Sequence, residues 1–263
     1  MTKSANNGAS AHSLGENDDL GEIFDAGMHP REKLGFVLLA TEQTIEENMF
    51  RLCPPGVGVH FTRAYNPDSI TVESLTRQVE DLARAASTLL PDGSLDVIGY
   101  ACTSGSLVIG EDRVFAELAK GAPGARTTSL ISSVLRALSV LGAKRVAGAT
   151  PYLDEINARE ATYMERAGFE ICAVRGLNLE KDSDMIRVRP DAIARLAQFV
   201  DRPDADAVFI SCGALRSIDV VEALEQKLGK PVVCSNQAMM WDMLRLAGVE
   251  DRIKGYGRLL RDH

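Results

Sequence analysis

The chain has 263 residues, 45% of them apolar, enough to bury a sizeable core as one large domain or two small ones. Its formal net charge is −8 with no cluster of lysine or arginine, which argues against nucleic acid or an anionic membrane as the main partner. No apolar run reaches the roughly 20 residues that span a bilayer, and five cysteines without an export pattern point to free thiols in the cytoplasm.

Residues 1–30 are rich in Ser, Asn, Gly, Asp and Glu and read as a flexible tail, within which only residues 20–24 are candidates to dock as a short helix. From there strands and helices alternate. Hydrophobic periodicity predicts a strand at 35–40, a helix at 44–52, a strand at 57–62 and a helix at 72–89. A strand at 95–101, a helix at 111–120, a strand at 125–128 and a helix at 130–141 follow. The pattern repeats with a strand at 145–149, a helix at 153–167 and a strand at 168–174. Residues 177–189 (LNLEKDSDMIRVR) are polar, long and irregular: either a mobile lid or an ordinary surface connection. A helix at 190–200, a strand at 206–211, a helix at 217–228, a strand at 231–234 and a helix at 237–247 complete the chain. This alternation predicts an α/β fold with mostly parallel sheets covered by helices on both faces. In such folds ligands bind beyond the carboxyl ends of the strands.

Two cysteines occupy that place. Cys102 closes the run DVIGYACTSGS (96–106) and Cys212 closes DAVFISCGALRS (206–217), each six residues after an aspartate. They stand 110 positions apart, and other segments repeat at similar offsets. Ala40-Thr41 and Asn48 match Ala149-Thr150 and Asn157 at 109, while Ser129 and Gly142 match Ser235 and Gly248 at 106. The chain therefore reads as two similar halves, 31–143 and 144–263, with one thiol at an equivalent strand end in each. A buried cysteine is ordinarily just a small apolar residue. A pair at equivalent positions of a duplicated fold is better explained by acid/base or covalent work on both faces of one small carbon acid. Cys53, Cys172 and Cys234 lack that context and read as structural.

Other chemistries lack their residues. The cysteines are too dispersed for zinc, and no CxxC or HExxH occurs. Of four histidines only His60 lies in a predicted strand, so a Cys–His pair would have to recruit it. No GxGxxG follows the first strand and there is no GxxxxGK[ST]. Thiol chemistry without a metal or cofactor is what remains.

DVIGYACTSGS, SCGALRSIDVVEALEQKLGKPVV, ATPYLDEIN and GYGRLL together resemble the aspartate/glutamate racemase superfamily over residues 33–260. The similarity is to its branch of arylmalonate decarboxylases, maleate cis-trans isomerases and ectoine-utilisation proteins. The resemblance implies two Rossmann-like halves related by pseudo-twofold symmetry, with a cofactor-free active site between them. It places Cys102 and Cys212 at the catalytic positions and implies that Thr103, Ser104 and Gly213 hold a substrate carboxylate. It also puts Thr41 and Tyr152 beside the substrate. Decarboxylases of this branch have glycine at the first cysteine position. Cysteine at both positions thus favours racemisation or cis-trans isomerisation over decarboxylation by Cys212 alone. Maleate isomerases carry an Asn-Thr-Thr type segment where this chain has Glu42-Gln43-Thr44. Glu42 would repel a carboxylate and suit an ammonium group, or it simply starts the following helix. The expected partner is a small carboxylate-containing substrate, with no nucleic acid and no membrane, and the expected assembly is a homodimer, with Met239, Met240 and Trp241 packing within or between subunits.

Overall fold

The computed structural model describes residues 22–263. Most of the expected tail, including Leu20 of its candidate helix, lies outside them. Residues 22–30 have no regular structure, and Ile23 and Phe24 are exposed.

All eight predicted strands are present, as two four-stranded sheets. The first contains β1 (Glu32–Leu39), β2 (Val57–Ala64), β3 (Val97–Tyr100) and β4 (Arg126–Ser129) in the order β2-β1-β3-β4. The second contains β5 (Arg145–Thr150), β6 (Glu170–Gly176), β7 (Ala207–Ile210) and β8 (Val232–Cys234) in the order β6-β5-β7-β8. Every pairing is parallel. The two sheets thus have the same topology, which is the three-dimensional form of the sequence repeat. β3 and β7 are buried at every position, as strands covered on both faces must be.

Helices make the crossovers. In the first half these are α1 (Ile45–Leu52), α2 (Val72–Arg77), α3 (Val79–Ala86), α4 (Thr103–Ile109), α5 (Glu111–Gly121) and α6 (Leu130–Val140). In the second they are α7 (Asp154–Arg166), α8 (Asp182–Met185), α9 (Pro190–Val200), α10 (Ile218–Leu228), α11 (Ser235–Leu246) and α12 (Arg258–Asp262). The single helix expected at 72–89 is two, because the chain breaks at Gln78, whose side chain accepts a hydrogen bond from the buried Tyr100 hydroxyl.

α6 and α11 join the halves. Asp242 of α11, 2% exposed, accepts from Thr128 Oγ1 (2.7 Å), Ser133 Oγ (2.9 Å) and Arg136 Nη1 (2.6 Å) of the first half. Met239, Met240 and Trp241 are buried within the chain. Among the described residues no helix is long and apolar enough to cross a membrane.

Candidate active site

In each sheet the strand order reverses between the two central strands, β1 and β3 or β5 and β7, and a crevice opens at their carboxyl ends. The residues just beyond those four ends meet in one cavity. Glu42 follows β1, Cys102 follows β3, Tyr152 follows β5 and Cys212 follows β7; Ser104 and Gly213 complete the wall. Ile70, Asp182 and Met185 cover it. The cover is tied down by the Ile70 N–H to the Glu180 carbonyl (2.8 Å), the Asp182 N–H to the Asp68 carbonyl (3.0 Å) and Ser183 Oγ to Asp68 (2.6 Å). The free volume is about 20 Å³, room for about one water molecule, so any substrate requires 68–70 and α8 to part.

Cys102 caps α4 directly. Its backbone is extended (φ −137°, ψ 115°) and Sγ accepts the Gly105 N–H at 3.2 Å, with Ser104 Oγ at 3.6 Å. The sequence TSGSLVI is a poor helix former and was not expected to be helical; this cap and the Ser106 Oγ to Cys102 carbonyl bond (2.6 Å) hold the turn. Gly105 is required: a Cβ there would lie 2.2 Å from the Tyr100 hydroxyl and 3.0 Å from Cys102 Sγ. Burial pushes the Cys102 thiol up to about 11, opposed by the Gly105 N–H and Ser104, with Asp182 adding to the rise.

Cys212 is held differently. Its φ is +93°, a region that side chains other than glycine rarely enter and that costs on the order of 1–3 kcal/mol. Its N–H donates to Ser235 Oγ at 3.0 Å, and the same hydroxyl meets Thr103 Oγ1 at 3.2 Å, linking the two cysteine turns. Gly213 follows because a Cβ would come within 2.7 Å of Ile45. Burial raises the Cys212 thiol well above its ordinary value; Asp182 and Glu42 add to this, while the Tyr152 hydroxyl and the Ala214 N–H oppose it.

Glu42 starts the helix and also lines the cavity. Oε1 accepts the N–H groups of Thr44 and of Ile45 (2.9 Å), starting α1, yet the side chain is 5% exposed and lines the cavity. Burial, then the nearby Asp182, pushes its carboxyl up to about 7. Asp182, 3% exposed, is also raised, first by burial; Thr41 Oγ1 donates to it at 2.6 Å and partly offsets this.

Of the residues singled out from sequence, Cys102, Cys212, Glu42, Ser104, Tyr152 and Gly213 therefore share the cavity wall. Thr41 stands behind it, holding Asp182, and Thr103 stands behind it, holding Ser235. His60 is on β2, edge-on to His29, and not on the wall. Sequence reasoning missed Asp182, Met185 and Ile70. Its one signal was the irregular stretch 177–189, which carries the first two.

The arylmalonate decarboxylase family model matches residues 60–260. Arylmalonate decarboxylase of Bordetella bronchiseptica is 33% identical over 196 residues, 73% of this chain and 81% of that protein. Maleate isomerase of Nocardia farcinica is 27% identical over 240 residues, 87% of this chain and 95% of that protein. A solved structure of a Nocardia farcinica maleate cis-trans isomerase mutant, with a covalently bound succinylcysteine intermediate, superposes with TM-score 0.81 at 26% identity, covering 88% of this chain and 99% of that one. The shared fold and the family match across three quarters of the sequence lead to one assignment: the chain belongs to the arylmalonate decarboxylase family, in the branch that also contains the maleate isomerases.

Proposed function

We propose that the protein is a cofactor-independent racemase or cis-trans isomerase of a small carboxylic acid or amino-acid derivative, with Cys102 and Cys212 as its reacting groups. The observation that carries this is the pair of buried thiols at equivalent strand ends on one closed cavity. In racemisation one thiol, as thiolate, takes the α-proton; the bonding pair passes into the carboxylate as an enediolate, and the other thiol returns a proton to the opposite face. In isomerisation the Cys102 thiolate forms a C–S bond to one alkene carbon, the π pair moves toward the adjacent carboxylate, the new single bond rotates, and the pair returns as the C–S bond breaks. Ser104, the Tyr152 hydroxyl and the N–H groups after Cys212 are donors suited to the developing charge. The covalent succinylcysteine in the maleate isomerase relative supports the addition route.

An amino-acid derivative arising in ectoine breakdown is the specific candidate suggested by the resemblance in sequence. Identity to a decarboxylase favours a second reading, loss of carbon dioxide from a disubstituted malonate with Cys212 as proton donor, but that chemistry leaves Cys102 idle. Five free cysteines support the cytoplasm as the compartment. The homodimer rests on the exposed Phe50, edge-on to Phe61 of the sheet-edge strand β2. Proton NMR in deuterium oxide with maleate, D- and L-aspartate and phenylmalonate tests the reaction class. Fumarate formation, or α-proton exchange with loss of optical activity, supports the proposal; phenylacetate formation alone replaces it with the lyase reading.

A further inference from the structure

Glu42 and Asp182 are both more than nine-tenths buried, both line the cavity between the thiols, and each spends only one carboxylate oxygen on the hydrogen bonds described above. The Gln43 N–H adds to the backbone donors on Glu42, while Thr41 is the one hydrogen-bond donor to Asp182 among the described residues. No lysine, arginine or histidine lines the cavity among the described residues. Arg63 donates to the Glu42 carbonyl (3.1 Å) and pairs with Glu46 (2.8 Å), so its charge acts on Glu42 from outside the cavity wall. Two buried carboxyl groups on one cavity wall are costly to ionise, so each holds its proton more tightly than usual unless a cation is set beside it.

We infer that Glu42 and Asp182 form a subsite for a cationic group, so that the substrate is an ammonium-bearing carboxylic acid and not a dicarboxylate dianion. This rests on the two-thiol reading of the same cavity and names the substrate class within it. The substrate's carboxylate then lies toward the neutral donors, Ser104 and the N–H groups after Cys212, and its ammonium group toward the two acids. The arrangement also couples recognition to reactivity. With the cover closed, Asp182 opposes ionisation of both thiols and Glu42 that of Cys212; an ammonium group set between the acids cancels that field and lowers the cost of forming a thiolate. A dianion would add to the repulsion instead.

Three small thiol reagents test this independently of turnover: methyl methanethiosulfonate (neutral), its 2-aminoethyl analogue (cationic) and its 2-sulfonatoethyl analogue (anionic). Each transfers its thioalkyl group to a cysteine and releases methanesulfinate, and peptide mass spectrometry follows Cys102 and Cys212 separately. After correction for each reagent's rate with glutathione, the cationic reagent should react at least about tenfold faster than the anionic one. Glu42→Gln with Asp182→Asn, which keeps the acceptor oxygens used by Thr44, Ile45 and Thr41, should bring the two rates within about twofold. Equal rates in the unmodified protein, a faster anionic reagent, or a preference that survives the double substitution would overturn the cationic subsite while leaving the two-thiol reading intact. Failure of even the neutral reagent to reach either cysteine would overturn both.

Discussion

Glu160 offers a direct measure of how far the second thiol's surroundings are kept from water. It lies on the buried face of α7 and accepts a hydrogen bond from Ser211, the residue before Cys212, at 2.5 Å. Burial, only partly opposed by that bond, moves its carboxyl from the ordinary 4.5 to about 7. Between those values the folded chain keeps a proton that the unfolded chain has released. Stability from this group is therefore fully present below pH 4.5 and is lost as pH rises through 7. At about 1.4 kcal/mol per pH unit the loss is about 3 kcal/mol. Glu160→Gln has nearly the same shape and cannot ionise. Urea unfolding of both proteins at pH 5 and pH 8 isolates the effect, because other titrating groups cancel in the difference between them. The variant should match the parent within about 1 kcal/mol at pH 5 and exceed it by about 2–3 kcal/mol at pH 8. The same difference at both pH values, or a variant weaker at pH 8, would refute a neutral, dry Glu160.

Two further substitutions probe what holds the thiols in place. Ser235→Ala leaves the buried Cys212 N–H and Thr103 hydroxyl without their partner, so unfolding free energy should fall by about 1–3 kcal/mol, with a larger loss in kcat than in KM because the strained Cys212 turn is released; unchanged kcat would show that the φ of +93° matters only to the fold. Asp242→Ala removes the shared acceptor of Thr128, Ser133 and Arg136 at the seam between the halves and should cost about 1–3 kcal/mol in denaturant unfolding, whereas no measurable loss would mean that α6 and α11 hold by apolar packing alone.

The backbone plan was largely legible before any coordinates. Strand positions follow from apolar runs, and the repeat of Cys102 and Cys212 anticipated two sheets of the same order. What was not legible depends on contacts distant in sequence. α4 forms from a stretch with two serines, a glycine and β-branched residues because Cys102 Sγ and Ser106 Oγ cap its first turn. At the break between α2 and α3, Gln78 bonds Tyr100, 22 residues away. Asp182 reaches the thiols only because Asp68 and Thr41, 141 residues before it in the case of Thr41, pull α8 across the crevice. Local patterns carry periodicity and caps; they do not carry the folding of one loop over another. The sequence around Glu42 shows a helix-start acid, which its hydrogen bonds to Thr44 and Ile45 bear out; that the same side chain lines the cavity depends on Asp182 and the two cysteines, far away in sequence.

The central claim is that both thiols take part in one reaction. The most direct measurement is the turnover, followed by proton NMR in deuterium oxide, of whichever of maleate and aspartate the parent protein converts, repeated with Cys102→Ala, Cys212→Ala and Cys172→Ala. Cys172 is half-buried on β6, away from the cavity. The account predicts that each of the first two substitutions lowers kcat at least about a thousandfold while Cys172→Ala leaves it unchanged. Full activity in either Cys102→Ala or Cys212→Ala would contradict it.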